Sequence, residues 1–292
     1  MAVDAGIKAI PVRVIGPGSQ PESLDGQTLS YIEMPGEIER YHDPAIPDPD
    51  AFVELEGARE AMAWLQKALA TCAGAGHAEL ANLAALDPES RDLVNQILGE
   101  GEVAVQYDGT FRAKSQETVL AGVWRTLFMD SDDKVICDLL EVSDVPHTVR
   151  MSDDAFRPVD ISRTGLSDDL GNAVAVLIEL RARSDQYLES RVPHAINLTL
   201  LPLTQDELEF LDARLGRGPV DTLSRAYGKC QVFRTLTPNI WWVRYYNSMG
   251  TLILNTLEVT DIPAAIRAAP EDIAESAKRL DCILAPYWSD GP

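Results

Sequence analysis

"LEVSDVP" at 140–146 and "LEVTDIP" at 257–263 are nearly the same heptapeptide written twice. They differ only in Ser143 for Thr260 and Val145 for Ile262. Pro146 and Pro263 lie 117 residues apart (263 − 146), and other pairs keep that offset without a gap. His77 meets His194, Leu83 meets Leu200, Leu86 meets Leu203, Trp124 meets Trp241, Ser131 meets Ser248 and Ile136 meets Ile253. "LGEGEV" at 98–103 meets "LGRGPV" at 215–220. The stretch 104–117 matches 221–234 poorly, which leaves room for compensating gaps. Self-similarity at a fixed offset implies a duplicated structural unit of about 100 residues. Two copies imply a paired, pseudo-symmetric architecture rather than a solenoid.

Each copy opens with helical signals. "AREAMAWLQKAL" (58–69) places Ala61, Trp64, Leu65 and Ala68 on one face, and "NAVAVLIELRARSDQYL" (172–188) does the same with Val176, Leu177 and Leu180. A second helix follows in each. Asp87 before Pro88 is an N-cap with proline at the first helical position. Thr204 with Glu207 is a capping box. Gly99 and Gly216 end these helices. The β-forming runs "TVLAGVWRTLFM" (118–129) and "NIWWVRYYN" (239–247) come next. The turns "DSDDK" and "SMGT" reverse the chain, and "VICDLLEV" (135–142) and "LILNTLEV" (252–259) return it as a hairpin. One more strand is expected before each hairpin, near 103–107 and 229–234. Asp144–Pro146 and Asp261–Pro263 close the last strands, because proline cannot donate to a ladder.

The expected fold is therefore α+β. Two tandem repeats each carry one or two helices and a hairpin or three-stranded antiparallel sheet, and pseudo-symmetry relates them. The expected organisation is an extended arm over 1–50, a first repeat over 51–150, a linker over 151–171, a second repeat over 172–267, and a terminal helix and tail over 268–292. The arm holds 7 of the 18 prolines and few apolar clusters.

The 292 residues are 46% hydrophobic, enough for one large core or two small ones. The net charge of −21 repels phosphate backbones and anionic lipid, so neither nucleic acid nor a membrane surface is an expected partner. The acid excess serves solubility or attraction to a basic partner segment. No apolar run approaches the roughly 20 residues that span a bilayer, and "MAVDAGIKAI" lacks a secretory pattern. A soluble cytoplasmic protein is expected. Cys72, Cys137, Cys230 and Cys282 are scattered, which argues against a disulfide framework.

No catalytic constellation emerges, so an interaction protein is favoured over an enzyme. "DSDDKVICDLLE" (130–141) imitates a calcium loop but has Val135 where glycine is required. "AGAG" (73–76) and "GPGS" (16–19) lack the strand–turn–helix context of phosphate loops. Metal, cofactor and catalytic residues are not expected. Cys137 reads as a small buried hydrophobe. Cys230, preceded by Lys229, is the cysteine most open to a reactive role, because a nearby cation favours thiolate. Alternation puts Trp124, Thr126 and Phe128, and likewise Trp241, Val243 and Tyr245, on core-facing sides. The opposite side carries Trp242, Arg244 and Tyr246, residue types enriched at interface hot spots. That face either binds a partner or packs under a helix.

The second repeat, from "LLPLTQDELEFLDARLGRGPVDTLSRAYGKCQVFRTL" through "TPNIWWVRYYNSMGTLILNTLEVTDIP", closely resembles the C-terminal domain of the HupH/HyaF family of hydrogenase accessory proteins. "AAPEDIAESAKRL", "GPGSQ" and "AGVWRTLFMD" fit the same family, so the resemblance spans nearly the whole chain. Its pattern includes Cys230, Trp241, Tyr245, Asn247, Ser248, Asn255, Thr256 and Glu258. The resemblance implies an accessory role in maturing uptake [NiFe]-hydrogenase. The expected partner is the iron–sulfur small-subunit precursor, with its twin-arginine signal peptide as a further candidate. Other hydrogenase accessory proteins are possible partners. Cys230, Trp242, Arg244, Tyr246, Asn247, Ser248, Asn255 and Glu258 are the candidate partner-binding residues. The rival readings are a factor handling iron–sulfur clusters through Cys230, and a scaffold joining other maturation factors.

Overall fold

The computed structural model describes residues 55–75, 78–151, 156–162, 170–225 and 228–288. The expected arm (1–50), His77, Tyr227, most of the linker and the "SDGP" tail lie outside the described residues. The elements run α1 (Glu56–Ala75), β1 (Glu79–Asn82), α2 (Pro88–Leu98), β2 (Val103–Asp108), β3 (Arg112–Glu117), β4 (Val123–Met129), β5 (Val135–Val142) and α3 (His147–Arg150). They continue with α4 (Gly171–Ser190), β6 (His194–Asn197), a 3₁₀ turn (Leu198–Leu200), α5 (Gln205–Leu215), β7 (Arg217–Ser224), β8 (Lys229–Thr235), β9 (Ile240–Tyr246), β10 (Leu252–Val259), a 3₁₀ turn (Ala264–Ile266) and α6 (Pro270–Trp288).

The ten strands form one sheet in the order β1-β5-β4-β3-β2-β7-β8-β9-β10-β6, with every neighbouring pair antiparallel. The seam between the halves is β2 against β7, where Val103 opposes Ser224 and Tyr107 opposes Val220. This corrects the expected hairpin or three-stranded unit: each half supplies five strands. "RAKSQE" of β3 is polar and "RGPVDTLS" of β7 contains a proline, so neither has the composition of a strand. Sheet pairing overrides that local preference. The poorly matching stretch 104–117 also pairs without a gap. Ala104 opposes Gln116 and Asp221 opposes Phe233, so both ladders keep the 117 offset.

The caps follow the sequence. Asp87 accepts a hydrogen bond from the Ser90 N–H at 2.8 Å. Thr204 and Glu207 form the complete capping box. Glu207 also accepts from the N–H groups of Asn172 and Ala173, so one buried carboxylate serves the N-termini of α4 and α5. The second glycine of each repeated "LG-x-G" is needed for close approach of two backbones. A Cβ at Gly101 would lie 2.2 Å from the Thr118 carbonyl oxygen, and one at Gly218 would lie 2.8 Å from that of Thr235.

Side chains alternate across the sheet. On one face, α1, α2 and α6 pack over Val123, Leu140 and Val142. On the same face, α4 and α5 pack over Phe233, Ile240, Trp242, Leu257 and Val259. Ile273, Leu280 and Leu284 of α6 belong to the first half's core, so the chain's last helix returns to its first. The other face holds a third core of Val103, Val105, Tyr107, Trp124, Val220, Val232, Trp241 and Val243. Among the described residues it is covered by the strand exits, with Val145 and Val149 on one side and Ile262 and Ile266 on the other.

The repeated heptapeptides make these covers. The Trp124 Nε1–H donates to the Ser143 carbonyl and the Trp241 Nε1–H to the Asp261 carbonyl, each at 3.0 Å. Asp144 accepts from the Val145 N–H and Asp261 from the Ile262 N–H. The Ala268 N–H donates to the Asp144 carbonyl at 2.8 Å and so links the two exits. Glu141, buried behind the first, accepts from the Ser143 hydroxyl and the His147 N–H. Among the described residues no helix is long and apolar enough to cross a membrane.

Candidate functional site

On the sheet face opposite the helices, near the seam, lies a cleft of about 440 Å³. Its lining includes Glu102, Val103 and Glu117 from the first half and Ser224, Cys230 and Tyr245 from the second. Residues 264–268 and Asp272 complete it. Strand register explains the convergence: Val103 opposes Ser224, Ser224 opposes Cys230, and Cys230 opposes Tyr245. These four side chains form a row crossing β2, β7, β8 and β9 on one face.

The row is electrostatically unusual. Burial, with further push from the charges of Glu102 and Asp272, raises the Glu117 carboxyl to about 7, against the pull of its hydrogen bond from the Gly122 N–H. Burial pushes the Cys230 thiol up to about 12, with the nearby Glu258 carboxylate adding to it and a hydrogen bond with Tyr245 opposing it. Burial likewise raises the Tyr245 phenol to about 12. Glu258 is itself raised by burial, offset in part by a hydrogen bond with Thr256. The cleft thus presents acidic groups, a neutral thiol and a neutral phenol, with Arg267 as the cation in its lining.

This changes the reading of Cys230. Lys229 precedes it in sequence, but strand alternation sends the two side chains to opposite faces, so Lys229 does not favour the thiolate. Cys72 is buried in the helical core on the other side of the sheet, Cys137 is half-buried on β5, and Cys282 is exposed on α6. Among the described residues no group of three His, Cys, Asp or Glu side chains is placed to hold a metal ion.

The remaining sequence candidates divide in two. Trp242, Arg244, Tyr246 and Asn255 lie on the helix-covered face and are buried, at 0%, 5%, 6% and 5% exposure. Of the two readings the sequence left open for this face, the structure has it packed under helices. The Trp242 ring stacks on Phe233 with centroids 5.6 Å apart, and its Nε1–H donates to Asn255 Oδ1. The Arg244 guanidinium lies 4.7 Å from the Trp242 ring centroid. The face has the composition of a hot spot because it is a dense core under α4 and α5. Asn247 shapes the β9–β10 turn, its Oδ1 accepting from the N–H groups of Met249 and Thr251, and Ser248 is exposed within that turn. Only Cys230 and Glu258 among the candidates belong to the cleft's row or act on it. Glu117 and Asp272 were not singled out from sequence. Glu117 closes the polar strand β3, whose composition carries no strand signal, and Asp272 is brought in by α6 from the far end of the chain.

The imitation calcium loop is a turn. Asp130 Oδ1 accepts from the N–H groups of Asp132 and Lys134, which occupies the carboxylate locally.

Residues 56–160 and 170–287 each match the family described as "HupH hydrogenase expression protein, C-terminal conserved region". The chain is 42% identical over 282 residues to the hydrogenase expression/formation protein HupQ of Azotobacter chroococcum, covering 94% of this chain and 96% of that one. It is 37% identical over 281 residues to the hydrogenase expression/formation protein HoxQ of Cupriavidus necator, with the same coverage of 94% and 96%. The solved structure of the hydrogenase expression protein HupH from Thiobacillus denitrificans is 30% identical, with a TM-score of 0.38, over 40% of this chain and 97% of that one. The chain belongs to the HupH family of hydrogenase expression proteins.

Proposed function

We propose that this protein is an accessory factor in [NiFe]-hydrogenase maturation that binds the iron–sulfur small-subunit precursor in the cytoplasm, before export and assembly. The observation that carries the hydrogenase role is similarity to hydrogenase expression/formation proteins over 94% of the chain. Binding rather than catalysis is favoured by the chemistry of the cleft. A thiol pushed up to about 12 is a poor nucleophile. The choice of a basic partner segment is supported by the net charge of −21 and by Glu102 and Asp272 around the cleft. A twin-arginine signal peptide is a segment of that chemistry.

The two halves are best understood as copies of one unit. The family match falls once in each half, and α2 and α5, β4 and β9, and β5 and β10 each begin 117 residues apart. In this reading, the seam is where the copies meet and the cleft beside it is shared by both.

The test is a strain lacking this protein. Small-subunit precursor should fall while the large subunit persists, with the defect largest under oxygen. Loss of the large subunit alone, or normal levels of both with normal hydrogenase activity, would overturn the proposal.

A further inference from the structure

The two halves differ sharply at one place. Under the C-terminal end of α5, the second half fills the space between helix and sheet with rings. Phe233 and Trp242 stack there, with the Arg217 guanidinium 3.7 Å from the Phe233 centroid and Arg244 against both rings. The first half has Gln116, Arg125 and Leu127 at the positions 117 residues earlier, on strands with the same pairing, and Glu100 ahead of β2 where the second half has Arg217. Even the polar anchor has a counterpart. The Trp242 Nε1–H donates to Asn255, while Arg125 makes a two-point pair with Asp138 at 2.7–2.9 Å.

The substitution leaves a space. A pocket of about 330 Å³ opens beside the C-terminal end of α2, lined by Leu98, Gly99, Lys114, Gln116, Arg125 and Leu127, among others. That is at the lower end of the roughly 300–1,000 Å³ typical of binding pockets. Gln116, Arg125 and Leu127 remain partly exposed, whereas Phe233, Trp242 and Arg244 are sealed. The charges around the pocket balance, with Lys114 and Arg125 against Glu100 and Asp138, so an ion has little electrostatic reason to settle there. A neutral ring over aliphatic side chains and guanidinium carbons does.

We propose that this pocket seats an aromatic side chain of a partner polypeptide, which supplies from outside the ring that Phe233 and Trp242 supply within the second half. The assignment goes beyond the proposed hydrogenase role and holds for any partner polypeptide other than a second copy of this chain. A polypeptide is the chosen source because the fold already shows a polypeptide ring filling the matching position.

The test uses the full chain with labelled leucine methyl groups and N-acetyl-L-tryptophanamide as the probe, with N-acetyl-L-leucinamide as the control. The tryptophan probe should shift the Leu98 and Leu127 methyl resonances in a saturable way, and the leucine probe should bind at least about tenfold more weakly. The triple variant Gln116→Phe/Arg125→Trp/Asp138→Asn copies Phe233, Trp242 and Asn255 into the first half and leaves neither member of the Arg125–Asp138 pair unpartnered. It should lose the response. Shifts confined to other methyl groups, equal binding of both probes, or an undiminished response in a folded triple variant would overturn the assignment. The wild-type titration decides even if that variant does not fold. Methyl shifts that track protein concentration without probe would instead place a second copy there, and would also overturn it.

Discussion

Replacing Glu117 by glutamine should stabilise the protein at neutral pH and do almost nothing in acid. Glu117 is buried at the cleft, its carboxyl raised from 4.5 to about 7 by burial and by its acidic neighbours Glu102 and Asp272. In the folded state it therefore holds its proton more tightly than in the unfolded chain. The sign follows directly. Below about pH 4.5 the group is neutral in both states. Between 4.5 and 7 the folded state binds the extra proton, so stability falls as pH rises, and above 7 the full penalty is in place. A separation of about 2.5 pH units corresponds to about 3 kcal/mol at pH 8 and under about 1 kcal/mol at pH 5. Glutamine removes the charge yet can still accept the Gly122 N–H. Urea unfolding of both proteins from pH 5 to 8 measures the difference and cancels the other titrating groups. The stability gain of Glu117→Gln should grow with pH through this window. A gain constant with pH, or one shrinking as pH rises, would refute the assignment of Glu117 as a carboxylate held against its charge.

Other outcomes follow from the packing. Trp242→Ala removes a fully buried ring and should destabilise by about 3–5 kcal/mol in denaturant unfolding. Thr204→Ala breaks the capping box at α5 and should cost about 1 kcal/mol in the same measurement. In native protein at pH 8, a thiol-alkylating reagent should modify exposed Cys282 long before Cys230, whose thiol is buried and raised to about 12. Rapid native labelling of Cys230 would contradict its placement. Leu280→Ala, in the last helix, should destabilise by about 2–5 kcal/mol despite lying outside the expected repeats, because Leu280 completes the first half's core.

The parts legible in the sequence were those where local chemistry and tertiary packing agree. The caps at Asp87 and Thr204, the hairpins with "VWRTLFM" and "IWWVRYY", and the strand exits at the repeated heptapeptides carry their own signals. β3 and β7 do not, because "RAKSQE" and "RGPVDTLS" become strands only through neighbours on both sides. The short strands β1 and β6 are four residues each and depend on pairing with β5 and β10. The face of Trp242 and Arg244 could be seen as a face, but its covering could not. Composition is the same for a hot spot and for an aromatic–cation core, and only the placement of α4 and α5 separates them. The cleft was the least legible feature. It draws on five strands, both halves and the last helix, a convergence that no linear spacing encodes.

The central claim is that the protein holds the hydrogenase small-subunit precursor. The most direct measurement is to co-express it with a tagged precursor, with and without the signal peptide, purify by the tag, and weigh the product by light scattering. A stoichiometric complex is expected, with a mass equal to the sum of the two chains and weakened when the signal peptide is removed. A soluble precursor that purifies without this protein, in cells lacking other accessory factors, would contradict it.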